Sequence, residues 1–582
     1  MLNYARLTAY LLLAVLPFSK ASMIEPGQII STGPPKGFFS VVKDHDNGRI
    51  LLDLPKSSQP FILQLSLAKG IGSNDIGLDR GRLGDTKLVY FNRLGKKVLL
   101  TQLNTEYRAN SDDQAEIKAV TEAFASSVIW GFQVESETED SYRIDYTDYL
   151  LSDSYGIGSI LESAEQGKYS VDPSRSAALL TQLGNFPDNT ELEAIITLTG
   201  KSQSNELEQV TPDSSAVTIQ VHHSLIRLPD NRYQSRLFHP RSGYFPVSYI
   251  DYAAPLAEPL TKRFISTHRL APGLPLIYYL DPGVPEPIRS ALMQGATWWD
   301  EAFKAAGHKA GFKIKLLPAD ADPMDIRYNI IQWVHRRTRG WSYGMSVRDP
   351  RTGEILKGQV TLGSLRIRQD MLIAEGLLSP YTPSKPEQVA REPIQKLALA
   401  RIRQLAAHEI GHTLGLAHNY SASTQGRSSV MDYPHPLLKI QTGTISLTDA
   451  YAVGIGSWDK QAILYGYGHL QGIDPKLYLS QHLISSKAQN LNFITDRDAR
   501  AMGGAHSDAH LWDSGNDIVA ELDNTLAVRQ IALNNLGDNS IPASTPFSEL
   551  ENVLVPIYFL HRYQAEAVTK LIGGAHYQYS TK

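Results

Sequence analysis

The stretch that decides the fold reads His408-Glu409-Ile410-Gly411-His412-Thr413-Leu414-Gly415-Leu416-Ala417-His418. On an α-helix with 3.6 residues per turn, His408 and His412 lie one turn apart on the same face, so both imidazoles can reach one ion. Glu409 lies one step round the helix and approaches the open side of that ion. Gly415 can adopt a left-handed backbone conformation, which would end the helix and bring His418 back as a third nitrogen ligand. The spacing therefore predicts one metal site held by three histidines.

Three neutral imidazoles with one open position are how proteins hold catalytic zinc, whereas structural zinc is usually closed by four protein ligands. Zinc lowers the pKa of bound water to about 7 and polarises a carbonyl group. The adjacent Glu409 can take the proton of that water and pass it to a departing amine. The pattern therefore predicts Zn²⁺ as cofactor and Glu409 as general base.

The composition of the chain excludes several further kinds of site and partner. The chain has 582 residues, a formal net charge of −4 and no cysteine. Disulfides, a cysteine nucleophile and a thiolate metal site are therefore excluded. The small net charge gives no general reason to bind nucleic acid, and we expect no nucleic-acid partner.

The N-terminal sequence is typical of a targeting segment. Residues 1–22 contain one early basic residue, Arg6, an apolar run over 7–18, and then Ser19-Lys20-Ala21. This order is typical of a cleaved signal peptide, and about 12 apolar residues are too few to span a bilayer. We therefore expect an exported protein, periplasmic or secreted, with no stable membrane insertion after cleavage. The lack of cysteine favours a bacterial source.

Downstream of the histidines stands Ser429-Val430-Met431-Asp432-Tyr433-Pro434. With the extended histidine pattern, this stretch resembles the metzincin metallopeptidases, whose signature is followed by a methionine-containing turn. The resemblance implies that Met431 forms a hydrophobic floor under the three ligands. It also implies that Tyr433 acts near the metal, as a fifth ligand or as a hydrogen-bond donor to the tetrahedral intermediate. In that fold an edge strand pairs with the peptide substrate, and our candidate for it is 358–363.

The wider pattern predicts an α+β protein. The chain also looks like a group of exported bacterial zinc-dependent metalloproteases with a long β-rich N-terminal region, on phrases at 239–245, 349–354, 449–459 and 558–574. Members of that group continue past residue 582, which leaves open whether the C-terminal region is complete. We expect the zinc-binding helix to begin near Pro393, a residue suited to a first helical turn. The predicted parts are a signal peptide (1–22), a β-rich domain (23–215), an aromatic and proline-rich connecting region (216–273), a metzincin-like catalytic domain with a small mixed twisted sheet and the zinc-binding helix (274–440), and a mainly helical region (441–582).

A second polar cluster lies near the C-terminus. It consists of His506, Asp508, His510, Asp513 and Asp517. Such residues are able to bind calcium or a second metal, although turn formation and helix capping explain aspartate-rich loops as well.

The sequence favours an exported zinc endopeptidase that acts on proteins or peptides, with Glu409 as base and Tyr433 as a second catalytic group. Two alternatives stay open. One is a binding or adhesion protein on a metzincin scaffold with little turnover. The other is a zinc hydrolase of a non-peptide amide, which the same metal chemistry allows.

Overall fold

The computed structural model describes residues 37–470, 472–500 and 503–581. The predicted signal peptide, 1–22, lies outside the described residues. The first part of the chain forms mostly strands: β1 (Ser40–Asp44), β2 (Arg49–Pro55), β3 (Phe61–Lys69), β4 (Leu83–Leu94), β5 (Lys97–Gln102), β6 (Tyr107–Arg108), β7 (Ser127–Glu137), β8 (Ser141–Asp145), β9 (Tyr169–Val171), β10 (Ala177–Ala178), β11 (Gly184–Asn185), β12 (Asn189–Gly200) and β13 (Ala216–Arg227). Its helices are short: α1 (Gln114–Ala123), α2 (Thr147–Leu150), α3 (Ile157–Ser163) and α4 (Asn205–Val210).

These strands form one twelve-stranded sheet that contains all of them except β6. Along β2, every second side chain, at Ile50, Leu52 and Leu54, is at most 1% exposed, which is the period of a strand with one face in a core. The sheet continues past the predicted domain end at residue 215, because β13 pairs with β12 on one side and with β3 on the other. A boundary there would remove a central strand and expose both of its neighbours.

The connecting region forms a small sheet of its own. Strands β14 (Arg236–Leu237), β15 (Pro246–Asp251) and β16 (Thr261–Ile265) associate there with β6, and β17 (Thr267–His268) crosses to the next sheet.

The third part is built on a six-stranded mixed sheet. Its order is β17-β22-β20-β18-β19, and β21 pairs antiparallel with β22. The elements are β18 (Leu276–Leu280), α5 (Ile288–Thr297), α6 (Trp299–Ala305), β19 (Phe312–Leu316), β20 (Asn329–Val334), β21 (Tyr343–Arg348), β22 (Glu354–Gly363), α7 (Arg366–Leu378) and α8 (Glu387–Thr413).

The helix that carries the first two histidines, α8, is longer than predicted. It begins at Glu387 and contains Pro393, so the expected start at that proline is wrong. Residues 387–392 are mostly good helix formers, so the helix extends before Pro393, although a proline at its seventh position removes one intrahelical hydrogen bond. Helix α5 crosses α8 at Gly295, where a Cβ atom would lie 2.0 Å from the carbonyl oxygen of Arg403.

The C-terminal part is mainly helical, as predicted. It contains the hairpin β23 (Lys439–Gln441) and β24 (Thr444–Ser446), and the helices α9 (Ser457–Tyr467), α10 (Pro475–Ala488), α11 (Asp496–Ala499), α12 (Ile518–Asn535), α13 (Leu550–Tyr558) and α14 (Arg562–Thr569). Trp458 and Ile463 of α9 belong to the same hydrophobic core as α8 and the six-stranded sheet. The predicted division at residue 440 therefore cuts through one core, because α9 packs with α8 and the mixed sheet, whereas α12 and α13 form a smaller apolar cluster with α7.

The N-terminal sheet packs directly against the mixed sheet. A shared apolar cluster joins Ile62 and Ile226 of the first to Val347 and Leu356 of the second. In the part of the chain that the structure describes, no helix is long and apolar enough to cross a membrane.

Candidate metal centre

The three predicted ligands come together. One ring nitrogen from each of His408, His412 and His418 lies within 4.8 Å of the others, and no other such group of His, Asp and Glu occurs in the described residues. The Nε2 atoms of His412 and His418 are 3.1 Å apart. Nε2 of His408 is buried and has no hydrogen-bond partner among the described residues.

Hydrogen bonds at the opposite ring nitrogen fix the protonation of these rings. Nδ1 of His408 donates to the carbonyl oxygen of Val430 at 2.8 Å, and Nδ1 of His412 donates to that of Leu416 at 2.9 Å. A carbonyl oxygen can only accept, so each Nδ1 carries the proton and each Nε2 of a neutral ring presents a lone pair. Burial lowers the pKa of His412 to about 3 and that of His408 well below its usual value, which keeps both rings neutral.

Lone pairs directed at one point repel each other unless a cation lies between them. Neutral imidazole nitrogens are preferred ligands of Zn²⁺. The donor set and the unpartnered Nε2 of His408 therefore fit a zinc ion.

Gly415 ends the helix and turns the chain back. Its φ is +97°, the left-handed region predicted for it, and a Cβ atom there would lie 2.1 Å from the carbonyl oxygen of Ser266. Only glycine meets both conditions without displacing its neighbours. The chain then pairs at Leu416 with Tyr244 and continues to His418.

Met431 lies directly against the helix under the histidines. It is completely buried, and its Sδ would be 2.2 Å from a Cβ atom built on Gly411. The turn that holds it is itself fixed, because Asp459 of α9 accepts from the hydroxyl of Ser429 and from the N–H of Val430. A thioether fills the irregular space left by a helical glycine.

Glu409 is only 4% exposed and faces the strand β21. Burial raises the pKa of this carboxyl to about 8, while Arg401 and a hydrogen bond from the N–H of Gly344 oppose that rise. A divalent cation nearby would lower the pKa in turn, because an opposite charge favours the ionised form.

Tyr433 stands beside the histidines. Its ring centroid is 4.7 Å from that of His418 and 5.3 Å from that of His408. Burial raises the pKa of its hydroxyl to about 12, so this group stays protonated at neutral pH and is able to donate a hydrogen bond. The guanidinium of Arg500 lies 5.0 Å from the ring centroid.

The predicted edge strand is wrong. Residues 358–363 belong to β22, which pairs with β20 on one side and with β21 on the other. The edge beside the histidines is β21 itself, where Gly344 approaches α8 so closely that a Cβ atom would lie 2.2 Å from the carbonyl oxygen of Glu409. Strand β22 is buried almost throughout, which is typical of an internal strand.

The second polar cluster, near the C-terminus, does not form a metal site among the described residues. Nε2 of His506 donates to the carbonyl oxygen of Tyr577, and Asp517 caps α12 by accepting from two backbone N–H groups. Asp513 is buried, whereas Asp508 lies beside His576. His506, Asp508 and Asp517 have separate structural partners, as the turn and capping alternative allows, and calcium is not supported.

Sequence reasoning missed one polar partner of the site. Nδ1 of His418 is 2.8 Å from Oδ2 of Asp496, the first residue of α11. The two residues are 78 positions apart, and no local spacing connects them.

Two families of known proteins match parts of the chain. Residues 81–273 match the model of a domain of unknown function (DUF5117), and residues 391–582 match the model of a family described as Met-zincin. No curated protein and no solved structure matches the chain. The second match contains the three histidines, the methionine turn and Asp496, and it continues across the boundary that we predicted at residue 440. The C-terminal third of the chain therefore contains a metzincin-like domain whose three-histidine cluster is consistent with zinc binding.

Proposed function

We propose that this protein is an exported zinc-dependent endopeptidase, with His408, His412 and His418 as metal ligands and Glu409 as general base. The observation that carries the proposal is the convergence of three ring nitrogens, two of which are fixed as lone-pair donors by backbone carbonyls. The match of residues 391–582 to a Met-zincin family supports the same chemistry. Export rests on the pattern of residues 1–22 alone.

Each neighbouring residue has a distinct part in the reaction. When bound, zinc lowers the pKa of a water molecule and polarises the scissile carbonyl group. Glu409 accepts the proton of the attacking water at its carboxylate and delivers it to the departing amine nitrogen. Tyr433 keeps its hydroxyl proton and donates a hydrogen bond to the oxygen that becomes negative.

Substrate binding involves the edge strand. Among the described residues, β21 pairs only with β22, so its other edge is free to pair with an extended peptide. Gly344 connects substrate binding with proton transfer, because this residue of the edge strand packs against the backbone of Glu409 and lowers the pKa of its carboxyl group. A peptide on this strand is therefore held next to the base.

The test uses the purified full-length protein and denatured casein or gelatin. We expect cleavage that a zinc chelator abolishes and added zinc restores. Glu409→Gln keeps the ligands but removes the proton acceptor, so we expect a rate lower by about 100- to 10,000-fold with one zinc still bound. The matched control is Glu392→Gln on the same helix, a surface residue that pairs with Lys396, and it should retain wild-type activity.

Other outcomes would identify the alternatives. One equivalent of zinc without cleavage of any peptide library would point to a binding or adhesion protein. Cleavage restricted to small non-peptide amides would point to another zinc hydrolase. A wild-type protein that binds no zinc would contradict the metal site itself.

A further inference from the structure

The third histidine is held differently from the other two. His408 and His412 donate their Nδ1 protons to backbone carbonyl oxygens within the domain core. His418 instead faces a carboxylate, Oδ2 of Asp496, at 2.8 Å. An ionised carboxylate can only accept, so it fixes the proton on Nδ1 and leaves Nε2 of His418 free as a ligand.

Asp496 is itself held in place by several donors. The hydroxyl of Tyr420 donates to Oδ1 at 3.2 Å, and Nε of Arg500 lies 3.3 Å from the same oxygen. The hydroxyl of Thr495 donates to Oδ2 at 3.3 Å. The carboxylate therefore has a fixed orientation, with one oxygen directed at His418 and the other at Tyr420 and Arg500.

We propose that Asp496 is a positioning residue of the metal site, which orients the ring of His418 and strengthens its Nε2 as a ligand. This inference rests on the proposed function, since it requires a metal at the three histidines. A hydrogen bond from a ligating histidine to a carboxylate fixes the tautomer and raises the basicity of the metal-binding nitrogen. His418 needs this support most, because it lies in the loop after Gly415 and is not held by the helix.

The inference assigns a role to the C-terminal region. Asp496 lies in α11, beyond the methionine turn and beyond the sheet that forms the substrate edge. The region after residue 440 therefore completes the metal site through this carboxylate.

The experiment measures zinc affinity of the full-length protein by competition with a chromophoric chelator. We expect Asp496→Asn to weaken zinc binding by about 10- to 100-fold. Asn keeps an acceptor oxygen but loses the charge, so Asp496→Ala, which removes both, should bind zinc more weakly still. The matched control is Asp498→Asn in the same helix, whose carboxylate accepts from the hydroxyls of Tyr577 and Tyr579 and does not touch His418. Its zinc affinity should equal that of the wild type.

Two further readouts separate positioning from folding. The Asp496 side chain is 38% exposed, so the melting temperature of the zinc-free Asp496→Asn variant should stay close to the wild-type value. The absorption spectrum of the cobalt-substituted protein should change in Asp496→Asn but not in Asp498→Asn, because it reports the ligand arrangement.

Three results would overturn the inference. They are wild-type zinc affinity in both Asp496 variants, an equal loss of affinity in Asp498→Asn, and a melting temperature that falls in proportion to the affinity. Failure of the wild type to bind zinc is a separate result, since it rejects the proposed function before any variant is compared.

Discussion

Gly415 illustrates how a single residue determines the geometry of the metal site. Its φ of +97° reverses the chain direction after α8, and the approach of the Ser266 carbonyl oxygen leaves no room for a side chain. Left-handed backbone costs an L-residue roughly 1–2 kcal/mol even in open space. The position of His418 therefore depends on the absence of one methyl group.

We predict that Gly415→Ala destabilises the protein and weakens zinc binding. The conformational cost is about 1–2 kcal/mol, and the clash with Ser266 adds to it. The control is Gly426→Ala, which has φ +68° but no atom within 4 Å of the added Cβ, so it should show the conformational cost alone. Urea unfolding and zinc titration measure both effects, and equal losses in the two variants would contradict the steric argument.

The edge strand β21 and the helix α8 are in direct backbone contact. Gly344 allows them to touch, since a Cβ atom there would lie 2.2 Å from the carbonyl oxygen of Glu409 and 3.0 Å from Cβ of His412. The backbone of Gly344 is also near enough to the Glu409 carboxyl group to lower its pKa. The distance between the substrate edge and the base is therefore determined by backbone packing.

We predict that Gly344→Ala separates β21 from α8 and lowers kcat/KM for peptide cleavage by about 100-fold, the scale expected for a displacement of about 1 Å between reacting groups. Zinc should still bind, because the three ligands lie outside the edge strand. Gly131→Ala in β7 is the control, since its added Cβ makes only an ordinary 3.7 Å contact with Leu99. Unchanged activity in Gly344→Ala would show that the edge strand does not position the substrate.

For the whole molecule, the main feature is that the N-terminal part supports the segment before the edge strand β21. Asp79 pairs with Arg336, and their side chains are 1% and 2% exposed. Arg336 also donates to the carbonyl oxygen of Trp341, in the segment that leads into β21. The N-terminal part thus holds the segment before the edge strand through a buried ion pair.

We predict that Asp79→Asn destabilises the protein by about 3–5 kcal/mol, because it leaves the buried charge of Arg336 without its partner. Peptide cleavage should fall as well, since the segment before β21 loses its anchor. Asp75→Asn is the control, because this exposed residue makes a single contact with the Thr338 hydroxyl. Denaturant unfolding measures the difference, and a shift below 1 kcal/mol in Asp79→Asn would show that the ion pair does not join the two parts.

The sequence by itself determined the local geometry of the metal site. A helical period of 3.6 residues places His408 and His412 on one face, and a glycine at the helix end allows the chain to return, so neighbouring residues alone specify this arrangement. Only the tertiary structure decided that β21 is the edge, that Asp496 supports His418 and that Asp79 holds Arg336. These contacts join residues far apart in the chain, and any acceptor or buried carboxylate would satisfy the same donor. Their identity therefore follows from how the sheets and helices pack, which leaves no periodic signal in the sequence.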